Sequence, residues 1–323
     1  MAKVTNELKE YLSVIDLSSA KREALRTSRE AMADKIKNYF QNKGLRCPVF
    51  RQQGSFDMGT IIQPLSGEYD LDYGIYLQGF PQEESSWPTA NTVHKWIIEA
   101  VEKHTQTPPV NKKTCVRVIF KGQYHIDLPS YIENESVCKL SHLEKGWIQS
   151  QPKDITYWFN EEINKNGNML RDVVKILKGW ADYQSTMRGK MPSGLILTVL
   201  AAENFVSQEK LDDCVVSTVD AILCKIKNSV EVYNPTDANE KLSDRLSSVV
   251  KERFREALKH LADSLHSAVA EDSIAKSSQI WRSEFGERFP VSSDTEEEYK
   301  KDIENLANRY SPKSTIKPWG YSL

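Results

Sequence analysis

Along residues 19–43 the apolar positions Leu25, Met32, Ile36, Tyr39 and Phe40 recur at helical spacing, and Gly44 follows where a C-cap belongs. Lys21, Arg22, Arg26 and Arg29 make the first turns of this predicted helix basic, the ordinary pattern of a solvated face. An extended segment, CPVFRQQ (47–53), comes next, and Gly54-Ser55 opens a short helix-like stretch. DLDYGIYL (70–77) then reads as a strand. A polar loop over 78–90 leads into a helix at 91–104, whose Val93, Trp96, Ile97, Ala100 and Val101 share one stripe. TCVRVIF (114–120) and YHIDLPSYI (124–132) are two further β-rich runs. Short strands without regular βαβ alternation predict a small mixed sheet rather than a doubly wound one.

From about residue 155 the period becomes helical, with helices predicted over 156–165, 168–187, 193–207, 210–228, 238–270 and 273–285. EVYNPTDANEK (231–241) breaks the series, and SSDTEEEYKKD, after Phe289, begins one more exposed helix. The fold class is therefore α+β: a mixed lobe over 1–155 with a long N-terminal helix, then an all-helical lobe over 156–323.

Composition narrows the setting. A chain of 323 residues can hold two domains, and 43 basic against 45 acidic residues argue against a bulk nucleic-acid binder. The five cysteines are scattered, without a CxxC pair, so a disulfide framework or zinc ribbon is not expected and a reducing compartment is. The N-terminus MAKVTNELKEYL lacks a signal-peptide core, and the most apolar run, Gly194 to Ala202, is too short to span a bilayer. The expectation is a soluble, cytoplasmic protein with no membrane partner. His125, His142, His260 and His266 show no metal-ligand spacing.

The candidate chemistry begins in the strand at 70–77. Side chains at i and i+2 lie on one face, so Asp70 and Asp72 project together while Leu71 points into packing. Two adjacent carboxylates near a core are costly unless a cation neutralises them, and Mg²⁺ takes such oxygen ligands. Asp127, between Ile126 and Leu128 in another apolar strand, offers a third. If the strands are neighbours, three carboxylates at one sheet edge can hold two metals roughly 3.5–4 Å apart for an in-line phosphoryl displacement. Upstream, in RQQGSFDMGT (51–60), Gly54 permits close backbone approach and Ser55 suits a helix N-cap, a start whose free N–H groups fit an anion such as a triphosphate.

GS, then DxD in a strand, then a third Asp in a later strand resembles the DNA polymerase β-like nucleotidyltransferase superfamily. QGSFDMGT, DLDYGIYL and HIDLPSYI together are similar to the cGAS/DncV-like nucleotidyltransferases (CD-NTases), bacterial makers of cyclic oligonucleotide signals. VVKILKGWADYQSTMRGKMPSGLILTVLAAENF (173–205) resembles the helical half that these enzymes share with oligoadenylate synthases, and YNPTDANEKLSDRL and WRSEFGERFP resemble later segments. The resemblance implies a two-lobed nucleotidyltransferase with the active-site cleft between the lobes. It implies Asp70, Asp72 and Asp127 as catalytic, metal-binding carboxylates for two Mg²⁺ ions, or Mn²⁺ in their place. Asp127 then matches the ligand of the metal nearest the attacking 3′-hydroxyl. Gly54 and Ser55, with Gln53 beside them, match the triphosphate loop. Lys178 matches the lysine that reaches the phosphates, Ser193 a serine on the triphosphate, and Lys175, a turn away, is a weaker match. Leu177 and Trp180 read as core.

The implied partners are NTP substrates, ATP among them, a separate effector protein answering to the product in anti-phage (CBASS) signalling, and a regulatory partner protein. Two features depart from animal cGAS. Gly194 stands where an aromatic follows the equivalent serine, and the zinc insertion is absent, so double-stranded DNA sensing by that device is not expected. Two other readings remain open: a transferase that adds nucleotides to RNA or protein, and a regulatory module that binds nucleotide without turnover. Three intact carboxylates weigh against the second of these.

Overall fold

The computed structural model describes residues 3–134 and 137–293. Two helices come first, α1 (Thr5–Ile15) and α2 (Ser19–Asn42). Ser18 caps α2 by accepting from the Lys21 amide, and Gly44 closes it with a φ of 70°, a conformation that glycine adopts without a Cβ penalty. Leu25, Met32, Ile36 and Phe40 are buried as the spacing predicts.

The first lobe continues with β1 (Val49–Gln53), the single turn α3 (Gly54–Asp57), β2 (Tyr69–Leu77) and α4 (Ala90–Val101). β3 (Val110–Asn111), β4 (Val116–Phe120), β5 (Tyr124–Leu128), β6 (Ser130–Glu133), β7 (Cys138–His142) and β8 (Gly146–Gln149) follow. Among the described residues they form a mixed eight-stranded sheet in the order β3-β4-β5-β2-β6-β7-β8, with β1 antiparallel to β2. The run predicted as one strand over 124–132 is two. Pro129 has no N–H to donate, so the ladder breaks there. β5 then pairs in parallel with residues 69–72 of β2, and β6 with residues 75–77. Tyr69, Leu71, Tyr73, Ile75 and Leu77 turn one face of β2 into a core shared with α2 and α4.

The second lobe comprises α5 (Pro152–Asn166), α6 (Met169–Arg188), α7 (Gly194–Glu203) and α8 (Leu211–Ile226). The hairpin β9 (Tyr233–Asn234) and β10 (Asp237–Lys241), then α9 (Ser248–Ala270) and α10 (Ile274–Phe285), complete it. The helix predicted from 238 begins only at 248. Asn234 Oδ1 accepts from the amide and hydroxyl of Thr236, and Asp237 Oδ1 from the Asn239 amide. These Asx turns fold 233–241 back on itself. Leu177 and Trp180 are buried as expected.

α1 belongs with this lobe. Its Leu8, Tyr11 and Ile15 are fully buried in the helical core, although sequence order puts them with the first half. Burial on this scale contributes about 1.5–3 kcal/mol for each large apolar side chain. A buried ion pair ties the lobes together: Arg288 donates to Asp182 at 2.8 Å and to the carbonyl of Gln63, and Asp182 accepts from the Leu65 amide at 2.7 Å. Among the described residues no helix is long and apolar enough to cross a membrane. Most of the segment SSDTEEEYKKD, where a further helix was expected, lies outside the described residues.

Candidate active site

Alternation along β2 decides which side chains leave the core. Leu71 is fully buried, while Asp70 and Asp72 turn toward a cleft of about 1480 Å³ between the lobes. In the parallel register with β5, Asp72 stands opposite Asp127 and Asp70 opposite His125. The next strand, β4, sets Arg117 opposite Asp127. Three aspartates from two adjacent strands thus share one sheet face with an arginine, as the strand reading required.

Arg117 engages Asp127 with a two-pronged fork, Nε to Oδ1 at 2.6 Å and Nη2 to Oδ2 at 2.7 Å, and reaches Asp70 Oδ1 at 3.1 Å. His125 Nδ1 lies 3.1 Å from the same Asp70 oxygen, and its Nε2 lies 3.1 Å from Glu68. Asp127 does not line the cleft with Asp70 and Asp72. Among the described residues no three acidic, histidine or cysteine side chains converge on one point. The backbones meet as expected, and both oxygens of the Asp127 carboxylate are engaged by the fork.

The charge balance shows at Asp72. Burial, then the charges of Asp127 and Asp70, push its pKa up from 3.8 to about 7, against the pull of Arg117. The Arg117 guanidinium is pushed up in turn, chiefly by its bonds to Asp127.

Gly54 lies against this cluster. Its φ is 66°, and a Cβ added there would fall well inside van der Waals contact of Asp72 Oδ2. Ser55 is not the N-cap of α3. That position falls to Gln53, and Ser55 is the second residue of the turn. Gly54 and Ser55 both line the cleft. The Gln53 amide is committed elsewhere: Nε2 donates to Tyr76 Oη at 2.8 Å and Oε1 accepts from Tyr131 Oη at 3.1 Å. The two tyrosine rings stack at 4.9 Å, so Gln53 braces the loop from beneath.

The opposite wall comes from the helical lobe. Lys178 is buried, and its Nζ donates to the carbonyl and hydroxyl oxygens of Thr60 at 3.1 and 3.0 Å. Burial, with a smaller contribution from Lys175, brings its pKa down from 10.5 to about 7. A Cβ at Gly194 would come within 3.1 Å of Lys178 Cε, a physical reason for glycine in place of an aromatic here. Ser193 precedes α7 with no side-chain capping bond and lines the cleft beside Lys178. Lys175 is turned away to Asp16 at the end of α1, 3.2 Å distant, and is not among the cleft residues. The hairpin β9–β10 contributes Asn234, Asp237, Asn239 and Glu240 to the far rim.

Sequence reasoning missed Arg117, His125 and Thr60. Arg117 and His125 sit in β-rich runs that were recognised, but only the register of β4, β5 and β2 brings them to Asp70. Thr60 ends the same QGSFDMGT motif that supplied Gly54 and Ser55.

Comparison with known proteins follows the same residues. Residues 48–131, which hold Gln53, Gly54, Ser55, Asp70, Asp72 and Asp127, match the family model "Cyclic GMP-AMP synthase DncV-like, nucleotidyltransferase domain". A cyclic GMP-AMP synthase of Escherichia coli is 25% identical over 283 residues, covering 72% of this chain and 63% of that protein. Its counterpart in Vibrio cholerae serotype O1 is 24% identical over 217 residues, covering 51% of this chain and 49% of the relative. The chain thus spans between just under half and just under two thirds of the length of these curated relatives. The crystal structure of Vibrio cholerae DncV cyclic AMP-GMP synthase superimposes with a TM-score of 0.74 at 19% identity, over 86% of this chain and 93% of that one. The same enzyme in complex with the linear intermediate 5′-pppA(3′,5′)pG matches equally well, with a TM-score of 0.74 at 19% identity and the same coverage. The fold is that of DncV.

Proposed function

We propose that this chain, a cGAS/DncV-like nucleotidyltransferase, condenses nucleoside triphosphates, ATP among them, into a cyclic di- or trinucleotide with release of pyrophosphate. In each transfer a 3′-oxygen of one nucleotide bonds to the α-phosphorus of a triphosphate, and the bond to the β-phosphate oxygen breaks. The observation that carries the reading is the pairing of Asp70 and Asp72 on one cleft wall, beside Asp127, with Lys178 and Ser193 on the other. The cleft is also larger than the roughly 300–1,000 Å³ of a single small-molecule pocket, as a site for two nucleotides requires.

The donor set fits hard divalent cations. Asp70, Asp72 and Asp127 offer only carboxylate oxygens, the preferred ligands of Mg²⁺ and Mn²⁺, and burial together with the charges of Asp127 and Asp70 raises the pKa of Asp72. Two such ions, when bound, supply Lewis-acid charge for the attacking and leaving oxygens. The chain's own residues do the rest. The Gly54-Ser55 backbone receives the triphosphate against Asp72. Lys178 leaves Thr60 to meet the phosphates, which restore the charge that burial suppresses, and Ser193 offers its hydroxyl beside it. The product then passes to a separate effector protein in anti-phage (CBASS) signalling.

The test is incubation with the four NTPs and Mg²⁺ or Mn²⁺, phosphatase treatment, and mass analysis of resistant products. The expected outcome is a cyclic oligonucleotide from the wild type and none from the double variant Asp70→Ala, Asp72→Ala. Synthesis by that variant would overturn the site assignment.

A further inference from the structure

We propose that Arg117 is a resident counter-cation that occupies the carboxylate cluster until a divalent ion arrives, so that metal loading is an exchange of guanidinium for metal. The inference rests on the metal-site reading above and concerns how that site is filled.

Four observations carry it. Both oxygens of Asp127 accept from the guanidinium fork, at 2.6 and 2.7 Å, and this is the tighter, bidentate form of the arginine–carboxylate bond. The same Nη2 also touches Asp70 at 3.1 Å, so one cation is shared by two of the three carboxylates. The pair is largely withdrawn from water, with 17% of the Arg117 side chain and 13% of Asp127 exposed. Finally, with the fork in place no three candidate donors among the described residues converge, although the strand register sets Asp72 and Asp127 side by side. What holds the donors apart is the arginine.

The fold leaves Arg117 free to leave. It extends from β4, whose outer neighbour is the two-residue edge strand β3, with Val110 opposite Arg117 and both β3 residues exposed. Rotation of a long side chain toward that edge, without backbone movement, releases Asp127 and Asp70 together. His125 Nδ1 lies 3.1 Å from Asp70 and 3.4 Å from Arg117 Nη1, a longer contact that the rotation also gives up, and Glu68 holds the other side of the His125 ring. Arg117 is therefore a positioning residue that preserves the carboxylate cluster between rounds of metal binding.

The experiment is a Mn²⁺ titration followed by electron paramagnetic resonance, without nucleotide, on the wild type and Arg117→Gln. Loss of the competitor is expected to tighten Mn²⁺ binding at least about fivefold while lowering the melting temperature of the metal-free protein. Binding by the wild type with equal or weaker binding by the variant overturns the exchange and leaves the metal-site reading standing. No Mn²⁺ binding by either protein removes the metal-site reading, and the exchange with it. A second readout covers a variant that fails to fold. In ¹⁵N-arginine-labelled wild type, the protected Arg117 Nε–H signal, assigned through Arg117→Lys, should shift and exchange faster when Mg²⁺ is added. An unchanged, protected signal at saturating Mg²⁺ overturns the proposal.

Discussion

Replacing Lys178 by Met should make the stability of the ligand-free protein, relative to wild type, fall as the pH rises, and should weaken its response to triphosphate. The Lys178 ammonium is buried, and its pKa falls from 10.5 to about 7 because burial penalises the charge. At 1.36 kcal/mol per pKa unit, keeping it protonated costs the fold roughly 5 kcal/mol. Methionine removes the charge and keeps most of the apolar stem, but it forfeits two bonds to Thr60, whose two buried oxygens then lose their donor at about 1–3 kcal/mol each. The net effect at pH 6 lies between a loss of about 1 and a gain of about 3 kcal/mol. The unfolded lysine holds its proton to about pH 10.4, so the penalty is full below pH 7 and is relieved as the pH rises from there. Near pH 9.5 only about 1 kcal/mol of it remains, and the stability of the variant relative to wild type should fall by about 3–4 kcal/mol. Urea unfolding of both proteins at the two pH values measures this, and thermal shifts with ATP measure the lost response. An equal stability difference at both pH values would refute the reasoning, as would a variant whose stability relative to wild type rises between pH 6 and pH 9.5.

Two further substitutions probe the opposite wall. Asp72→Asn removes a buried carboxylate whose pKa is raised to about 7, a penalty present in full above pH 7 and absent below about 3.9. The variant should gain up to about 4 kcal/mol near pH 8 and nothing near pH 4, by denaturant titration, and it should make no product. Gly54→Ala meets both a positive φ, costing about 1–2 kcal/mol for a residue with a Cβ, and the Asp72 carboxylate. It should melt several degrees lower and lose product formation by more than the stability loss explains; full activity would show that the loop does not hold Asp72.

How much of this was legible in the sequence depended on whether the deciding interaction was local. α2 and α4 carry their own stripes and caps, and β2 announces itself because charges interrupt an apolar run at a period of two. α1 displays Leu8, Tyr11 and Ile15 at helical spacing, but the core that buries them lies beyond residue 155. β7 was missed because its polar residues are buried for tertiary reasons: Ser141 is buried against His94 Nε2 at 3.1 Å. DANEK (237–241) has the composition of a helix, and the Asx turns at Asn234 and Asp237 override it. Lys175 and Lys178 show the same limit within the site. Three residues apart on α6, they lie close together around the helix, and spacing cannot separate them. What separates them is the neighbour each meets, Asp16 of α1 for one and Thr60 of the other lobe for the second.

That difference bears on how the cleft works under the proposed function. Its walls hold two ionisable groups of opposite kind, Asp72 from the sheet and Lys178 from the helical lobe, and burial brings both close to pH 7. Each group is pushed toward neutrality chiefly by burial, and at Asp72 the charges of Asp127 and Asp70 add to it more than Arg117 offsets. A triphosphate carrying divalent cations brings both balancing charges at once, anionic oxygens for Lys178 and cations for Asp72. The stability that these residues withhold from the ligand-free fold is thereby returned on binding, and it is returned in full only to a ligand that offers both signs of charge across the cleft. Such a site favours a metal-bearing triphosphate over a bare anion or a bare metal ion, each of which meets one wall alone, without needing a contact to the base.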